Sequence, residues 1–381
     1  MKLRNLAHNA AMSYFQQALA LAAHSLTLSN PNPRVGCVIV DADGRTLGQG
    51  YTQQRGGPHA EIMALRDAAS RGEDVTGSTV YVTLEPCAHH GRTPPCCDAL
   101  IAARVGKVCI ALRDPNPLVA GQGMARLQAA GIAVELAPPE IAAEAREINH
   151  GFLRRMERGV PWVRLKTASS LDGMSALASG DSQWITGDVA RNDVQHWRAR
   201  ACAVLTGSGT ILADDPLLNV RLSGAVRQPH LVIVDSRLRT PPAARLFGVP
   251  GRQVWIVTVD RNISGREERR AALQAAGAEI ITLDAGLDGR SDLKELLLEL
   301  GRREVNELHV EAGAILNGAL LERGLVDELL AYVAPMLIGP GRPLAELPPL
   351  QRLTDAARWE LHRMQEVGGD LRLQLRRPPA A

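Results

Sequence analysis

The chain has 381 residues, too many for one typical core and enough for two domains. Its 45% hydrophobic and 22% charged residues are those of an ordinary soluble globular protein. A net charge of +2 and 3% aromatics argue against a nucleic-acid binder, and six cysteines are too few for a disulfide framework. The opening Met1-Lys2-Leu3-Arg4-Asn5 leads into no apolar signal-peptide stretch, and the Ala18–Ala23 run, cut by His24, is too short to span a membrane. A cytoplasmic protein with no membrane or nucleic-acid partner is expected.

Ala10 to Leu26 carries Met12, Phe15, Leu19 and Ala22 on one helical face. Asn30-Pro31-Asn32-Pro33 stops it. Val35–Val40 and Thr46–Tyr51 read as hairpin strands about the Asp43-Gly44 turn. A helix follows Gly57-Pro58, with Ile62, Leu65 and Ala69 in register. Val80–Leu84 is a strand, Pro86 a candidate first helical residue, and another helix runs from near Cys96 to Ala103. Val108–Leu112 and Ile132–Leu136 are strands around a helix from Gly121 to Ala130, and Glu140–Met156 is one helix. This alternation predicts an α/β layer sandwich. The domain boundary is expected near Gly151, giving domains 1–150 and 151–381.

Within the first domain, His59, Cys87 and Cys96 supply three nitrogen and sulfur ligands, as a catalytic zinc requires, with a fourth position left for water. Glu61, two residues beyond His59, is placed to handle protons without binding the metal. Zinc lowers the pKa of its water to about 7. The pairing of His-x-Glu with a later Pro-Cys is a general sign of zinc deaminases acting on bases. Here no cysteine stands two residues after Cys87, so spacing alone leaves Cys96, Cys97 and His90 open as further ligands. A four-ligand structural clip is the alternative, but it has no use for Glu61.

The second domain again alternates. Strands are expected at Trp162–Lys166, Ala203–Thr206, Leu231–Val234, Val254–Val257, Glu279–Thr282 and Glu307–Val310. Helices are expected at Asp188–Arg200, Arg266–Ala276 and Asp292–Leu300. Two turns, Gly207-Ser208-Gly209-Thr210 and Glu311 to Gly318, could cradle phosphate or simply pack a strand–helix corner.

Along nearly its whole length the sequence resembles the bifunctional deaminase/reductase family of riboflavin biosynthesis. The likeness rests on Pro31-Asn32-Pro33-Arg34-Val35-Gly36, His59-Ala60-Glu61 and Glu85-Pro86-Cys87-Ala88-His89-His90-Gly91-Arg92-Thr93-Pro94-Pro95-Cys96. In the second half it rests on Ser170-Leu171-Asp172-Gly173, Ser182-Gln183-Trp184-Ile185-Thr186, Leu212-Ala213-Asp214-Asp215-Pro216, Val234-Asp235-Ser236 and Val310-Glu311-Ala312-Gly313. The resemblance implies a cytidine-deaminase-like α/β/α sandwich followed by a dihydrofolate-reductase-like α/β domain. It favours Cys96 as third zinc ligand.

It also implies deamination of 2,5-diamino-6-(ribosylamino)pyrimidin-4-one 5′-phosphate at ring C2. Reduction of the ribosyl chain to ribityl by NADPH would follow. By position, NADPH contacts fall on Ala168, Trp184, Thr210, Asp214, Ser236, Gly313, Ala314, Ile315, Leu316, Asn317, Gly318 and Ala319. Reductase substrate contacts fall on Ser182, Arg198, Leu218, Arg221 and Glu311, the two arginines suiting a phosphate. Asn32, His89 and Arg92 are candidates for base and phosphate contacts in the deaminase. A homodimer or tetramer is the family expectation. The rivals are an RNA or nucleotide deaminase fused to an unrelated domain, and a zinc-stabilised binding module without turnover.

Overall fold

Short apolar runs and amphipathic segments alternate as strands and helices in both halves of the chain. The computed structural model describes residues 2–88, 94–116, 120–260, 265–286 and 289–378. It divides into two units, Met1–Gly159 and Val160–Ala381.

The first unit runs α1 (Lys2–Ala23), β1 (Gly36–Val40), β2 (Thr46–Tyr51), α2 (Ala60–Ser70), β3 (Thr79–Val82), α3 (Cys96–Ala102), β4 (Lys107–Ile110), α4 (Gln122–Ala129), β5 (Ala133–Leu136), α5 (Pro139–Ile148) and α6 (His150–Arg158). Its sheet has the order β2-β1-β3-β4-β5; the first two pairings are antiparallel, the last two parallel. On one face, Phe15 and Leu19 of α1 and Ile141 of α5 pack on Val38, Val40 and Tyr81. On the other, Ala60, Ala64, Leu100 and Leu127 cover Cys37, Ile39, Val80 and Val82. This is a three-layer α/β/α sandwich.

Three expectations change here. The helix over Glu140–Met156 is two helices. Asn149 breaks it because its side-chain amide is used elsewhere: Oδ1 accepts from the Arg34 amide at 2.7 Å, and Nδ2 donates to the Arg34 carbonyl at 2.8 Å. The boundary expected near Gly151 falls inside α6, whose Phe152 and Leu153 are buried in the first core; the division comes after Gly159, which ends α6 at φ 71°. No helix begins at Pro86. The Glu85 amide donates to the Leu112 carbonyl, and its carboxylate accepts from the amides of Asp114, Gly121 and Met124, so long-range bonds hold this segment irregular.

The second unit runs β6 (Trp162–Ser170), β7 (Met174–Leu177), α7 (Asp188–Arg200), β8 (Ala203–Gly207), α8 (Ser208–Asp214), β9 (His230–Val234), β10 (Val254–Val259), α9 (Arg266–Ala275), β11 (Ala278–Leu283), α10 (Leu293–Arg302), β12 (Glu307–Val310), α11 (Ala314–Glu322), β13 (Glu328–Ala334), β14 (Gly341–Pro343), β15 (Glu360–Val367) and β16 (Asp370–Arg376). Nine strands form one sheet, β11-β10-β9-β8-β12-β6-β13-β16-β15, parallel as far as β13 and antiparallel beyond. α10 and α11 cover one face with Leu296, Leu300 and Leu320. On the other face α8 and α9 contribute Ile211 and Leu273, and α7 contributes Ala190 and Val194. Among the described residues, no helix is long and apolar enough to cross a membrane.

Beneath α7 the sheet buries charge. Arg164 of β6 is fully buried between Glu307 of β12, at 3.1 Å, and Glu328 of β13. Its guanidinium lies 4.5 Å from the centre of the Trp197 ring. Arg200 and Arg376 complete the pairing of the two carboxylates, at 2.8 and 3.3 Å. Removing one partner of a buried ionic cluster leaves uncompensated charge. Arg164→Leu is therefore expected to lower the stability of the second unit by about 3–5 kcal/mol, read as a shift of its urea midpoint.

Candidate active sites

In the first unit three segments converge. His59 is the residue that enters α2, Cys96 opens α3, and Cys87 lies on the irregular segment after β3. Their ligand atoms all lie within 4.8 Å of one another. His59 Nδ1 is 3.7 Å from Cys87 Sγ and 3.4 Å from Cys96 Sγ. One nitrogen and two sulfurs at this spacing fit a zinc ion with a fourth position to spare. The Cys96 amide donates to Cys87 Sγ at 3.3 Å. Hydrogen bonding from Cys96, helped by His59, pulls Cys87 down to about 4, while the same pairing pushes Cys96 up.

Cys97 turns the other way. Its sulfur is 2.7 Å from the Cys87 carbonyl oxygen and 3.6 Å from that of Pro86, and burial raises it to about 12. It anchors the Cys87 main chain and stands outside the cluster of three. Glu61, in the first turn of α2, is buried; burial pushes its carboxyl up, His59 opposes this, and its carboxyl reaches Cys96. Asn32 sits in the turn before β1, its amide and carbonyl both bonded to Ser29. His89, Arg92 and the alternative ligand His90 lie outside the described residues.

In the second unit the chain leaves β8 towards β9 and leaves β12 by way of α11 for β13, on the far side of β6. β8 and β12 are therefore neighbours at a topological switch point, where open α/β sheets take ligands at the carboxyl ends of their strands. The two glycine turns meet there. A Cβ built on Gly207 would lie 3.6 Å from Leu316, and one on Gly313 would lie 4.0 Å from Thr210 Oγ1. A Cβ on Gly209 would meet nothing within 4 Å. Gly313 enters α11, so the cradle is open in front of a helix start that can take phosphate.

Gly318 differs. A Cβ there would fall 1.8 Å from the Glu346 carbonyl, so this glycine is needed for packing. Asn317 is buried and donates to the Leu344 carbonyl at 2.8 Å, which turns it towards the same strap. Of the remaining cofactor candidates, Ala314, Ile315, Leu316 and Ala319 belong to α11, and Ser236 follows β9 with its hydroxyl 3.3 Å from that of Ser291. Ala168 lies on β6. Asp214 is exposed one turn beyond Thr210. Trp184 is exposed on the segment before α7, with the Arg191 guanidinium 4.2 Å from its ring centre; Ser182 is two residues earlier.

The substrate candidates form a second group beside the cradle. Arg198 of α7 forks onto Glu311, with one branch at 2.8 Å, and also donates to the Asn219 carbonyl at 3.1 Å. Burial pushes the Glu311 carboxyl up, but Arg198 outweighs it and holds the group well below the usual carboxylate range. Leu218 and Arg221 flank Asn219, and Arg221 feels both Arg198 and Glu311. Lys166 of β6 belongs to the same group and escaped the sequence reading; burial and Arg198 lower its ammonium, against Glu311. Its signal was the charged alternation Arg164, Lys166 on an otherwise apolar strand. His309 was missed too: fully buried on β12, its Nε2 lies 3.4 Å from Glu311.

Comparison with known proteins agrees with both halves. Residues 9–112 match the cytidine and deoxycytidylate deaminase zinc-binding region, and residues 161–373 match the RibD C-terminal domain. The riboflavin biosynthesis protein RibD of Escherichia coli (strain K12) is 46% identical over 375 residues, covering 95% of this chain and 98% of that protein. The chain belongs to the RibD family. It is accordingly a bifunctional enzyme of riboflavin biosynthesis, with a zinc-binding deaminase half and a reductase half. RibD of Mycobacterium tuberculosis (strain ATCC 25618 / H37Rv) is 41% identical over 351 residues, 91% of either chain. The Acinetobacter baumannii RibD structure, form 1, superposes with a TM-score of 0.86 at 42% identity, covering 97% of this chain and 99% of that one. A Thermotoga maritima structure does so at 0.84 and 30%, with the same coverage; it is described as a diaminohydroxyphosphoribosylaminopyrimidine deaminase/5-amino-6-(5-phosphoribosylamino)uracil reductase.

The opposed directions of the two neighbouring cysteines make a direct test. Cys96→Ala is expected to lose bound zinc, and Cys97→Ala to keep wild-type zinc content, measured by elemental analysis of the purified variants.

Proposed function

We propose that the first unit deaminates 2,5-diamino-6-(ribosylamino)pyrimidin-4-one 5′-phosphate at C2. The second unit then reduces the ribosyl chain of the product to ribityl with NADPH. The observation that carries this reading is the His59, Cys87 and Cys96 cluster with a buried Glu61 at its side, on a chain whose relatives include a deaminase/reductase acting on such a pyrimidine.

His59, Cys87 and Cys96 would hold the zinc, which when bound would supply a water activated at neutral pH. Glu61 accepts a proton from that water and returns it to the departing amine, so that water and the amine become a ring carbonyl and ammonia. Burial suits this task, because a carboxyl raised from its usual value can carry the proton between the two steps. Asn32, His89 and Arg92 are assigned to base and phosphate. In the second unit a bound NADPH would supply the hydride for C1′ of the open-chain sugar. The Gly207–Thr210 and Gly313 turns would hold its phosphates, and Ser236, Asp214, Ala168 and Trp184 would contact the rest of it. Arg198 fixes Glu311 against the substrate, and Arg221, the more exposed cation, takes the 5′-phosphate. The six described cysteines are all free, in keeping with a cytoplasmic setting.

Glu61→Gln is expected to retain zinc and lose ammonia release by roughly 10²–10⁴-fold, the usual contribution of a general acid–base; full activity would remove Glu61 from the mechanism. With the diaminopyrimidinone ribosyl phosphate and NADPH in one cuvette, ammonia should appear first and NADPH loss follow in equal amount. Ammonia without NADPH loss would leave the reductase assignment wrong. Arg221→Ala should raise KM for the phosphorylated substrate and leave NADPH binding nearly unchanged in a titration.

A further inference from the structure

Residues 217–221 belong to the irregular chain that joins α8 to β9, and their shape is imposed from outside. Leu218 has φ 47°, a left-handed conformation that an L residue leaves unless it is held. The buried side chains of Leu218 and Val220 anchor the loop on one side, but Leu217, Asn219 and Gln228 line an open depression of about 740 Å³, so packing alone does not fix its backbone. Hydrogen bonds from distant side chains do. Arg252 donates to the carbonyls of Leu217 and Leu218, at 2.7 and 2.8 Å, and to that of Leu246 at 3.0 Å. Arg198 takes the Asn219 carbonyl. Gln228 clasps Val220 from both sides, accepting from its amide at 2.7 Å and donating to its carbonyl at 2.9 Å. Gln195 of α7 accepts from the Arg221 amide at 3.1 Å. Every residue of the loop is thus tied by a side chain. The residue beside Gln228, Arg227, donates to the carbonyls of Ala199 and Ala201 at the end of α7, the helix that carries Arg198.

We infer that Gln228 and Arg252 are positioning residues that preform the loop 217–221 so that Arg221 meets the substrate's phosphate. This rests on the reading of Arg221 as the phosphate contact. A clasp that satisfies both backbone polar groups of one residue fixes the two peptide planes on either side of it and so the direction of the next side chain, and an arm fixed before binding loses less freedom on binding. Gln228 touches no substrate atom in this account; it acts through Arg221.

The test compares KM values of the full-length enzyme for the aminouracil ribosyl phosphate and for its dephosphorylated nucleoside, with NADPH saturating. Gln228→Ala should raise KM for the phosphorylated compound about tenfold, a loss on the order of one good hydrogen bond. KM for the nucleoside and for NADPH should stay within about a factor of two, well below that tenfold step. Adding Gln228→Ala to Arg221→Ala should cost nothing further, as two residues acting through one contact require. Gln228→Glu, which keeps the acceptor for the Val220 amide and loses the donor, should fall between and serves if the alanine variant does not fold. An unchanged KM in Gln228→Ala and Gln228→Glu overturns the inference. So does a parallel rise of all three KM values, which marks general loosening. If the wild type itself does not prefer the phosphorylated compound, the assignment of Arg221 is what fails, and the inference falls with it.

Discussion

Charge buried on one face of the second unit's sheet must be neutralised where it stands, and this fixes the sheet's register. Arg164 is paired across the ladder with His309 on one side and with Glu328 on the other. A slip of one residue would turn Arg164, Glu307 and Glu328 to the apolar face under α10 and α11 and leave each without its partner. The same register carries Lys166 to the level of Glu311, just past the end of β12. The reactive end of the sheet is thus set by ion pairs at the opposite end of the same strands.

The metal cluster depends on a different constraint. Its candidate ligands come from positions 59, 87 and 96, and long-range bonds tie the middle one down: Glu85 to the start of α4, Cys97 to the Cys87 carbonyl. These bonds explain why Cys87 reaches the site from irregular chain. A helix starting at Pro86 would have engaged the Cys87 carbonyl within its own first turns, whereas here Cys97 takes it.

Legibility in the sequence followed the range of the responsible interaction. α7 and β12 came out at their observed limits, because helical periodicity and the polar–apolar alternation of Glu307-Leu308-His309-Val310 are local signals. His59, Glu61 and Cys87 were legible because residue type and near spacing are written in the chain, whereas spacing left Cys96, Cys97 and His90 open and only the resemblance favoured Cys96. The break at Asn149 was not, since its cause is Arg34, 115 residues away. Strands β13 to β16 were not marked either, although β13 is an apolar run and β16 (DLRLQLR) alternates; β15, exposed from Glu360 to Glu366, lacks a buried face to show a pattern. The pairing of Arg198 with Glu311, 113 residues apart, has no trace in local pattern, and the resemblance gave those residues only as separate contacts. The glycine turn at Gly313–Gly318 is open at Gly313 and packed at Gly318, a difference that local sequence does not display.

Each unit encloses its own apolar clusters, so the chain's resistance to heat or denaturant is two quantities. A ligand that binds the folded form of one half raises the melting of that half by mass action. Zinc would do so for the deaminase and a nucleotide for the reductase. A melting curve read as one transition would average these responses and hide which half a ligand or a substitution had touched.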